Sequence, residues 1–213
     1  MAISVKICGL SGRKALEAAI AGGADMLGFV CFPRSPRHLE PDRLAALTRE
    51  VRGRAERVGV LVDPDDALVR AIAPACDWLQ LHGNESPERT AEIARLSGRR
   101  ILKAVQVAVA DDIAAARVYE AVADGLLFDA RPAPEDRLPG GNGRAFDWTL
   151  LRGKEFSVPW WLSGGLDTRT LRVAVMASGA QRVDVSSGVE EGPGKKSLDK
   201  IAAFLEEARR ISA

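Results

Sequence analysis

The feature of this sequence that most constrains its fold is a recurring pattern of a short strand rich in β-branched residues, a turn and an amphipathic helix. The predicted strands are residues 3–8, 26–30, 58–62, 78–81, 101–107, 126–128, 159–162 and 182–185. The predicted helices are residues 13–21, 41–52, 65–73, 111–121, 167–178 and 198–210, with one more beginning at Ser86. Eight such units in 213 residues, without a linker-like segment, predict an α/β fold, a single (β/α)8 TIM barrel formed by residues 1–213.

A doubly wound open sheet is the competing architecture. It would normally show fewer units, and a nucleotide-binding member would carry Gly-x-Gly-x-x-Gly after its first strand. This chain has Cys-Gly-Leu-Ser-Gly there, at residues 8–12. The closed barrel is therefore favoured.

The charge composition limits the classes of partner. With 30 basic and 29 acidic residues, the net charge is +1, which gives no long-range field to attract nucleic acid or an anionic membrane. Three widely separated cysteines indicate free thiols in a reducing compartment. The N-terminus lacks a leader pattern, and no apolar stretch approaches the ~20 residues that span a bilayer. We therefore expect a cytoplasmic protein that binds neither nucleic acid nor membranes.

The first strand indicates where the chemistry lies. Residues 3–8 alternate between apolar side chains and the polar set Ser4, Lys6 and Cys8. In a closed barrel the polar set points inward, and Cys8 lies at the C-terminal tip of the strand, where the active sites of this fold gather. A free cysteine is commonly a small buried hydrophobe, and we assign Cys31 and Cys76 to that class. Cys8 differs in its position, and we predict a catalytic role for it.

Strands seven and eight end in glycine and serine. Gly164 and Gly165 follow the seventh strand, and Ser187 and Gly188 follow the eighth. Such glycines either make tight turns or let backbone N–H groups approach a ligand closely. Because many barrels bind phosphate in these two loops, often with a short extra helix, we predict a phosphorylated ligand, with residues 189–194 as that extra turn.

Three charged residues are expected to point into the barrel. Asp129 ends strand six, and the segment after it cannot begin a helix at once, which argues against a helix cap. A base and an acid on opposite sides of one opening suit proton transfer between neighbouring atoms of a sugar. Lys6 and Asp184 lie on adjoining strands, and we interpret them as a buried ion pair beneath the site.

Several short motifs together carry a family resemblance. Residues 6–9, 32–37, 80–83, 128–129, 140–141, 163–166 and 184–190 occur in the right order over nearly the whole chain. They read Lys-Ile-Cys-Gly, Phe-Pro-Arg-Ser-Pro-Arg, Gln-Leu-His-Gly, Phe-Asp, Gly-Gly, Ser-Gly-Gly-Leu and Asp-Val-Ser-Ser-Gly-Val-Glu. The chain thus resembles the phosphoribosylanthranilate isomerases of tryptophan biosynthesis. It departs from their common pattern at Asn142, where a threonine or serine usually stands, and at Cys31, which is often aromatic.

The resemblance implies a barrel enzyme without metal or cofactor that performs an Amadori rearrangement of a phosphorylated aminosugar. It assigns Cys8 as general base and Asp129 as general acid, and Arg37 as the residue that holds the anthranilate carboxylate with its guanidinium fork. The expected substrate-binding residues are Arg37, Gly141, Gly164, Gly165, Asp184, Ser186, Ser187 and Gly188.

Three other functions stay open. An indole-glycerol-phosphate synthase would share the phosphate site but needs a catalytic lysine at a strand end. A histidine-pathway aminosugar isomerase would carry an aspartate in place of Cys8. A non-catalytic phosphosugar-binding barrel would bind without turnover. Metal chemistry is disfavoured because His38 and His82 provide no ligand set. Since the helices show no long apolar stripe, we expect a monomer or a weak homodimer.

Overall fold

Eight parallel strands close into a barrel in chain order, with β1 paired to both β2 and β8. The computed structural model describes residues 3–51, 53–134, 136 and 138–212. The strands are β1 (Ser4–Ile7), β2 (Met26–Val30), β3 (Glu56–Leu61), β4 (Trp78–Leu81), β5 (Arg100–Val107), β6 (Gly125–Ala130), β7 (Trp160–Leu162) and β8 (Arg182–Val185). The predicted (β/α)8 barrel is therefore confirmed.

The α-helices are α1 (Arg13–Ala21), α2 (Pro41–Val51), α3 (Asp66–Ile72), α4 (Pro87–Ser97), α5 (Ala110–Ala115), α6 (Leu171–Ser178) and α7 (Leu198–Ser212). The sixth of the eight predicted strand–helix units has no α-helix, because the described residues between β6 and β7 form only a short 3-10 helix, Trp148–Leu151. None of the helices in the described ranges combines the length and apolar character needed to cross a bilayer.

Two helix starts differ from their predicted positions. The carboxylate of Asp112 lies inside the first turn of α5, where it accepts hydrogen bonds from the backbone N–H groups of Ala108 and Val109. Asp167 caps a turn through the N–H groups of Arg169 and Thr170, and α6 begins only afterwards. In both cases an aspartate satisfies backbone donors, as in a helix cap, but at a different offset from the helix.

The side chains of the barrel form two layers. Residues such as Val5, Ile7 and Phe128 pack outward against the helices. A separate inner cluster consists of Cys8, Met26, Val30, Val58, Val60, Trp78, Leu102, Ala104, Leu127 and Trp161. Within it, the rings of Trp78 and Trp161 meet edge to face, with centroids 5.8 Å apart. The alternation that the sequence predicted along β1 and β6 is therefore present.

The segment after β8 is not the extra helical turn that we predicted for residues 189–194. One 3-10 turn, Ser187–Val189, leads into an antiparallel pair formed by β9 (Glu190–Gly192) and β10 (Lys195–Lys196). Gly192-Pro193-Gly194 makes the reversal, with Gly194 at φ +78°. Proline and a left-handed glycine are incompatible with a helix interior, and they are suited to a hairpin. We call residues 190–196 the hairpin.

Candidate active site

A pocket opens at the C-terminal ends of the barrel strands, and nearly all the predicted site residues line it. They are Cys8, Arg37, Asp129, Gly141, Gly164, Gly165, Asp184, Ser186 and Ser187. Gly188 lies just behind the lining, where a Cβ would come within 1.9 Å of the Leu166 backbone oxygen. Gly188 thus allows the loops after β7 and β8 to pack closely against each other.

Cys8 follows β1 directly and is only 6% exposed. Its backbone N–H donates to the Val185 oxygen, which fixes the residue between β1 and β8. Burial raises the pKa of the Cys8 thiol, the Asp184 carboxylate adds to the increase, and the ammonium groups of Lys6 and Lys196 partly offset it. The resting side chain is therefore a thiol at neutral pH.

The buried ion pair that the sequence predicted is present beneath Cys8. Lys6 and Asp184 are paired residues of β1 and β8, and their side chains meet at 2.7 Å. Ser163 donates a longer hydrogen bond of 3.3 Å to the other oxygen of Asp184. Although burial opposes charge on Lys6, the attraction of Asp184 and Cys8 outweighs it and raises the pKa of Lys6. The ammonium therefore stays charged below the thiol.

Asp129 lies inside β6, one residue before its end, and points into the pocket. One carboxylate oxygen accepts the backbone N–H of Ala130 at 2.9 Å. The other lies 3.3 Å from Nε2 of His82, although the angle leaves Nε2 without a formed hydrogen bond among the described residues. The carboxyl group is therefore held from one side and approached by an imidazole from the other.

His82 is a site residue that the sequence reasoning did not assign to the pocket. It follows β4, and its Nδ1 lies 2.8 Å from the side-chain nitrogen of Gln80. With the Gln80 amide donating, Nδ1 is an acceptor, so the neutral ring carries its hydrogen on Nε2, facing Asp129. Gly140 covers this pair, since a Cβ there would lie 2.3 Å from Nε2 and 2.7 Å from the Asp129 carboxylate.

Cys8 and Asp129 belong to β1 and β6, three strands apart around the barrel, and line the same pocket. The arrangement sets a thiol and a carboxyl group on separate sides of one opening. Such a pair is suited to moving protons between neighbouring atoms of one ligand.

The glycines after β7 are packed too tightly for any side chain. Gly164 and Gly165 have φ angles of +83° and +68°. A Cβ on Gly164 would lie 2.8 Å from the Ala130 nitrogen, and one on Gly165 would lie 2.7 Å from the Ala145 Cβ. Together with Ser187 across the pocket, they form a lining of backbone and hydroxyl groups with the character of a phosphate site.

Arg37 is buried at the edge of the pocket, and most of its donors are already used. Its Nε and Nη2 each donate to one carboxylate oxygen of Glu190 at 2.8 Å. Nη2 also donates to the Gly141 backbone oxygen at 3.2 Å. The guanidinium fork expected to hold a ligand carboxylate is therefore occupied by Glu190, and, within the described part of the chain, the nitrogen left for a ligand is Nη1.

Glu190 and Lys196 face each other across the hairpin, and the sequence reasoning gave neither a role. Lys196 donates to Glu190 at 2.7 Å and to the Ser186 backbone oxygen at 2.8 Å. Burial opposes charge on Glu190, but Arg37 and Lys196 outweigh it and lower the pKa of the carboxyl group. Burial also lowers the pKa of Lys196, against the pull of Glu190. The only sequence signal for this cluster was Glu190 at the end of the motif at residues 184–190.

A lysine on β5 does not reach the pocket. Lys103 alternates with the inward residues Leu102 and Ala104, so it points outward, where it pairs with Glu85 at 2.8 Å. Its ammonium also donates to the Gly83 backbone oxygen. This placement disfavours the lysine-dependent synthase alternative. Within the described ranges, no three His, Cys, Asp or Glu side chains are grouped to hold a metal ion.

Comparisons with known proteins agree over the whole chain. Residues 5–207 match the family model described as N-(5'phosphoribosyl)anthranilate (PRA) isomerase. The chain is 54% identical over 215 aligned residues to the N-(5'-phosphoribosyl)anthranilate isomerase of Azorhizobium caulinodans, covering 100% of this chain and 94% of that protein.

Solved structures give the same result. The crystal structure of phosphoribosyl anthranilate isomerase from Thermotoga maritima is similar with a TM-score of 0.87 at 34% identity, covering 98% of this chain and 99% of that one. A phosphoribosyl anthranilate isomerase in complex with reduced 1-(o-carboxyphenylamino)-1-deoxyribulose 5-phosphate is similar with a TM-score of 0.82 at 31% identity, with the same coverage.

Proposed function

Since this chain belongs to the N-(5'-phosphoribosyl)anthranilate isomerase family, we propose that it converts N-(5'-phosphoribosyl)anthranilate to 1-(2-carboxyphenylamino)-1-deoxyribulose 5-phosphate in tryptophan biosynthesis. The reaction is an Amadori rearrangement, in which an aldose-derived amine becomes a ketose. The observation that carries the proposal is the meeting of Cys8, Asp129 and the glycine and serine lining in one pocket.

Asp129 acts first, as the general acid. Its proton passes to the ribose ring oxygen, the bond between C1 and that oxygen breaks, and the nitrogen lone pair forms a C1=N iminium. For this step the carboxyl group must begin protonated, and it ends as a carboxylate. The Ala130 N–H donates to the negative charge that appears, and His82 Nε2, 3.3 Å away, comes within donating geometry after a small rotation of the ring.

Cys8 acts second, as the general base. The iminium acidifies the C2 proton, the Cys8 thiolate removes it, and the C2–H electrons form a C1=C2 bond as the nitrogen recovers its lone pair. The enolamine then tautomerises to the ketone. Because burial raises the thiol pKa, the thiolate is scarce in the resting protein. The cation formed beside it during the reaction, with Lys6 behind, favours the charged form.

The two ends of the substrate take different parts of the pocket. The phosphate lies against Gly164, Gly165, Ser186 and Ser187, where backbone and hydroxyl donors are available. Gly188 lies behind them and lets the two loops pack closely. The anthranilate carboxylate lies against Nη1 of Arg37. Holding both ends places the ring oxygen and C2 between the acid and the base.

The test is turnover of phosphoribosylanthranilate, followed by the loss of its anthranilate fluorescence. Cys8→Ser and Asp129→Asn should each lower kcat by about 10²–10⁴-fold, the usual contribution of a general acid or base. Cys31→Ser is the matched control, because Cys31 is buried outside the pocket, where its thiol donates a hydrogen bond to the Leu39 backbone oxygen. This variant should keep wild-type turnover.

Wild-type rates in Cys8→Ser or Asp129→Asn would remove that residue from the mechanism. Binding of the substrate without turnover by the wild-type protein would instead identify a non-catalytic phosphosugar-binding barrel. Circular dichroism of each variant separates loss of chemistry from loss of fold.

A further inference from the structure

We propose that Glu190 is a positioning residue for substrate recognition: it fixes which edge of Arg37 meets the ligand and so makes the site selective for an amine that carries a carboxylate. This inference rests on the proposed function, and it concerns a residue outside the proton-transfer steps. The inference also assigns a role to the hairpin, which carries Glu190.

Among the described residues, Nη1 is the one nitrogen of the Arg37 guanidinium without a hydrogen-bond partner. A guanidinium has five N–H donors, and Glu190 and Gly141 take those on Nε and Nη2. Gly9 packs against the aliphatic part of the Arg37 side chain, since a Cβ on Gly9 would come within 2.5 Å of the Arg37 Cδ. A Cβ on Gly141 would come within 2.8 Å of Nη1. The side chain is therefore clamped, and Nη1 is the nitrogen left to donate to a ligand.

Glu190 is itself held from several directions. Lys196, its partner across the hairpin, donates to one carboxylate oxygen at 2.7 Å, and the Gly194 N–H donates to the other at 3.2 Å. Lys200 donates to its backbone oxygen at 2.6 Å. A carboxylate fixed in this way is a rigid support, which a solvent-exposed glutamate would not be.

A positioning role of Glu190 and simple electrostatic attraction predict opposite effects on ligand binding when the charge of Glu190 is removed. Arg37, Lys196 and Glu190 together carry one net positive charge, which suits an anionic ligand group. Removing the negative charge of Glu190 would increase the positive potential at the pocket. Electrostatic attraction alone would then tighten binding of a carboxylate. A positioning role predicts the opposite, because Arg37 loses the bidentate contact that orients it.

The experiment compares two substrates, N-(5-phosphoribosyl)anthranilate and N-(5-phosphoribosyl)aniline, which lacks the carboxylate, with product measured by chromatography. Glu190→Gln should raise KM for the anthranilate adduct by about tenfold or more, the scale of one charge-assisted hydrogen bond, and leave kcat within a few-fold. KM for the aniline adduct should not change. Glu191→Gln is the matched control, because Glu191 is the exposed neighbour in the same hairpin.

Glu190→Asp is the second variant, since it keeps the charge but withdraws the carboxylate by one methylene. It should raise KM for the anthranilate adduct only, by less than Glu190→Gln does. An unchanged or lower KM in Glu190→Gln, a wild-type KM in Glu190→Asp, or an equal rise for both adducts would overturn the inference while the proposed function stands. Absence of turnover of the anthranilate adduct by the wild-type protein would overturn the proposed function itself.

Discussion

Replacing Lys6 by methionine would leave the Asp184 carboxylate buried without its cation. The two side chains meet at 2.7 Å, Lys6 is fully buried, and Asp184 is only 4% exposed. Its remaining side-chain hydrogen bond, from Ser163, is long at 3.3 Å. Breaking a buried pair from one side typically costs about 3–5 kcal/mol, because the remaining charge is left unpaired in a poorly polarisable environment. We expect Lys6→Met to lose that much free energy of unfolding.

The measurement is equilibrium unfolding in guanidinium chloride, with thermal unfolding in parallel. A loss of 1 kcal/mol lowers the melting temperature of a chain of this size by about 2–4 °C, so the thermal midpoint of Lys6→Met should fall by roughly 6–20 °C. Asp184→Asn should destabilise similarly, and the double variant should cost less than the sum of the two, with a coupling energy of about 2 kcal/mol or more. Arg210→Met, which breaks an exposed pair with Glu206, is the control and should change stability by no more than ~0.5 kcal/mol. Additive single effects, or a loss below about 1 kcal/mol in Lys6→Met, would refute the reasoning.

Three further outcomes are expected. Because the pKa of Cys8 is raised, the thiolate is a minority form at neutral pH, and its fraction increases about tenfold per pH unit below that pKa. We therefore expect kcat/KM in the fluorescence assay to rise with pH above 7. A flat profile would count against thiolate as the base. Gly140→Ala should lower kcat, because its methyl group would displace His82, whereas Gly192→Ala, with open space at its Cβ, should keep wild-type rates. Gly188→Ala should raise KM and weaken competition by inorganic phosphate, since the two phosphate loops must separate; unchanged phosphate inhibition would contradict that assignment.

Short-range patterns were enough to predict the barrel. Period-two alternation predicts the inward faces of β1 and β6, and Cys8 and Asp129 on those faces line the pocket. The pairing of Lys6 with Asp184 followed from closure, because the first and last strands of a barrel are neighbours. These inferences needed only the strand period and the order of the elements.

The missed features depend on contacts between distant segments. Glu190 meets Arg37 across 153 positions of sequence, and no local pattern encodes that approach. The prediction of a helical turn at residues 189–194 is wrong: it rests on what this fold commonly has there, whereas Gly-Pro-Gly at residues 192–194 favours a reversal. His82 acquired its place only when β4 and β6 brought it against Asp129.

The tryptophans at the other end of the barrel have a kinetic consequence. Trp78 and Trp161 pack edge to face inside that end, with the guanidinium groups of Arg100 and Arg182 over their rings. The pocket is lined by residues at the opposite, C-terminal ends of the strands, so substrate and product use the same opening. The product must dissociate before the next substrate molecule binds, and accumulating product should act as a competitive inhibitor. The rate at which product is removed would then limit the turnover of this barrel whenever product accumulates.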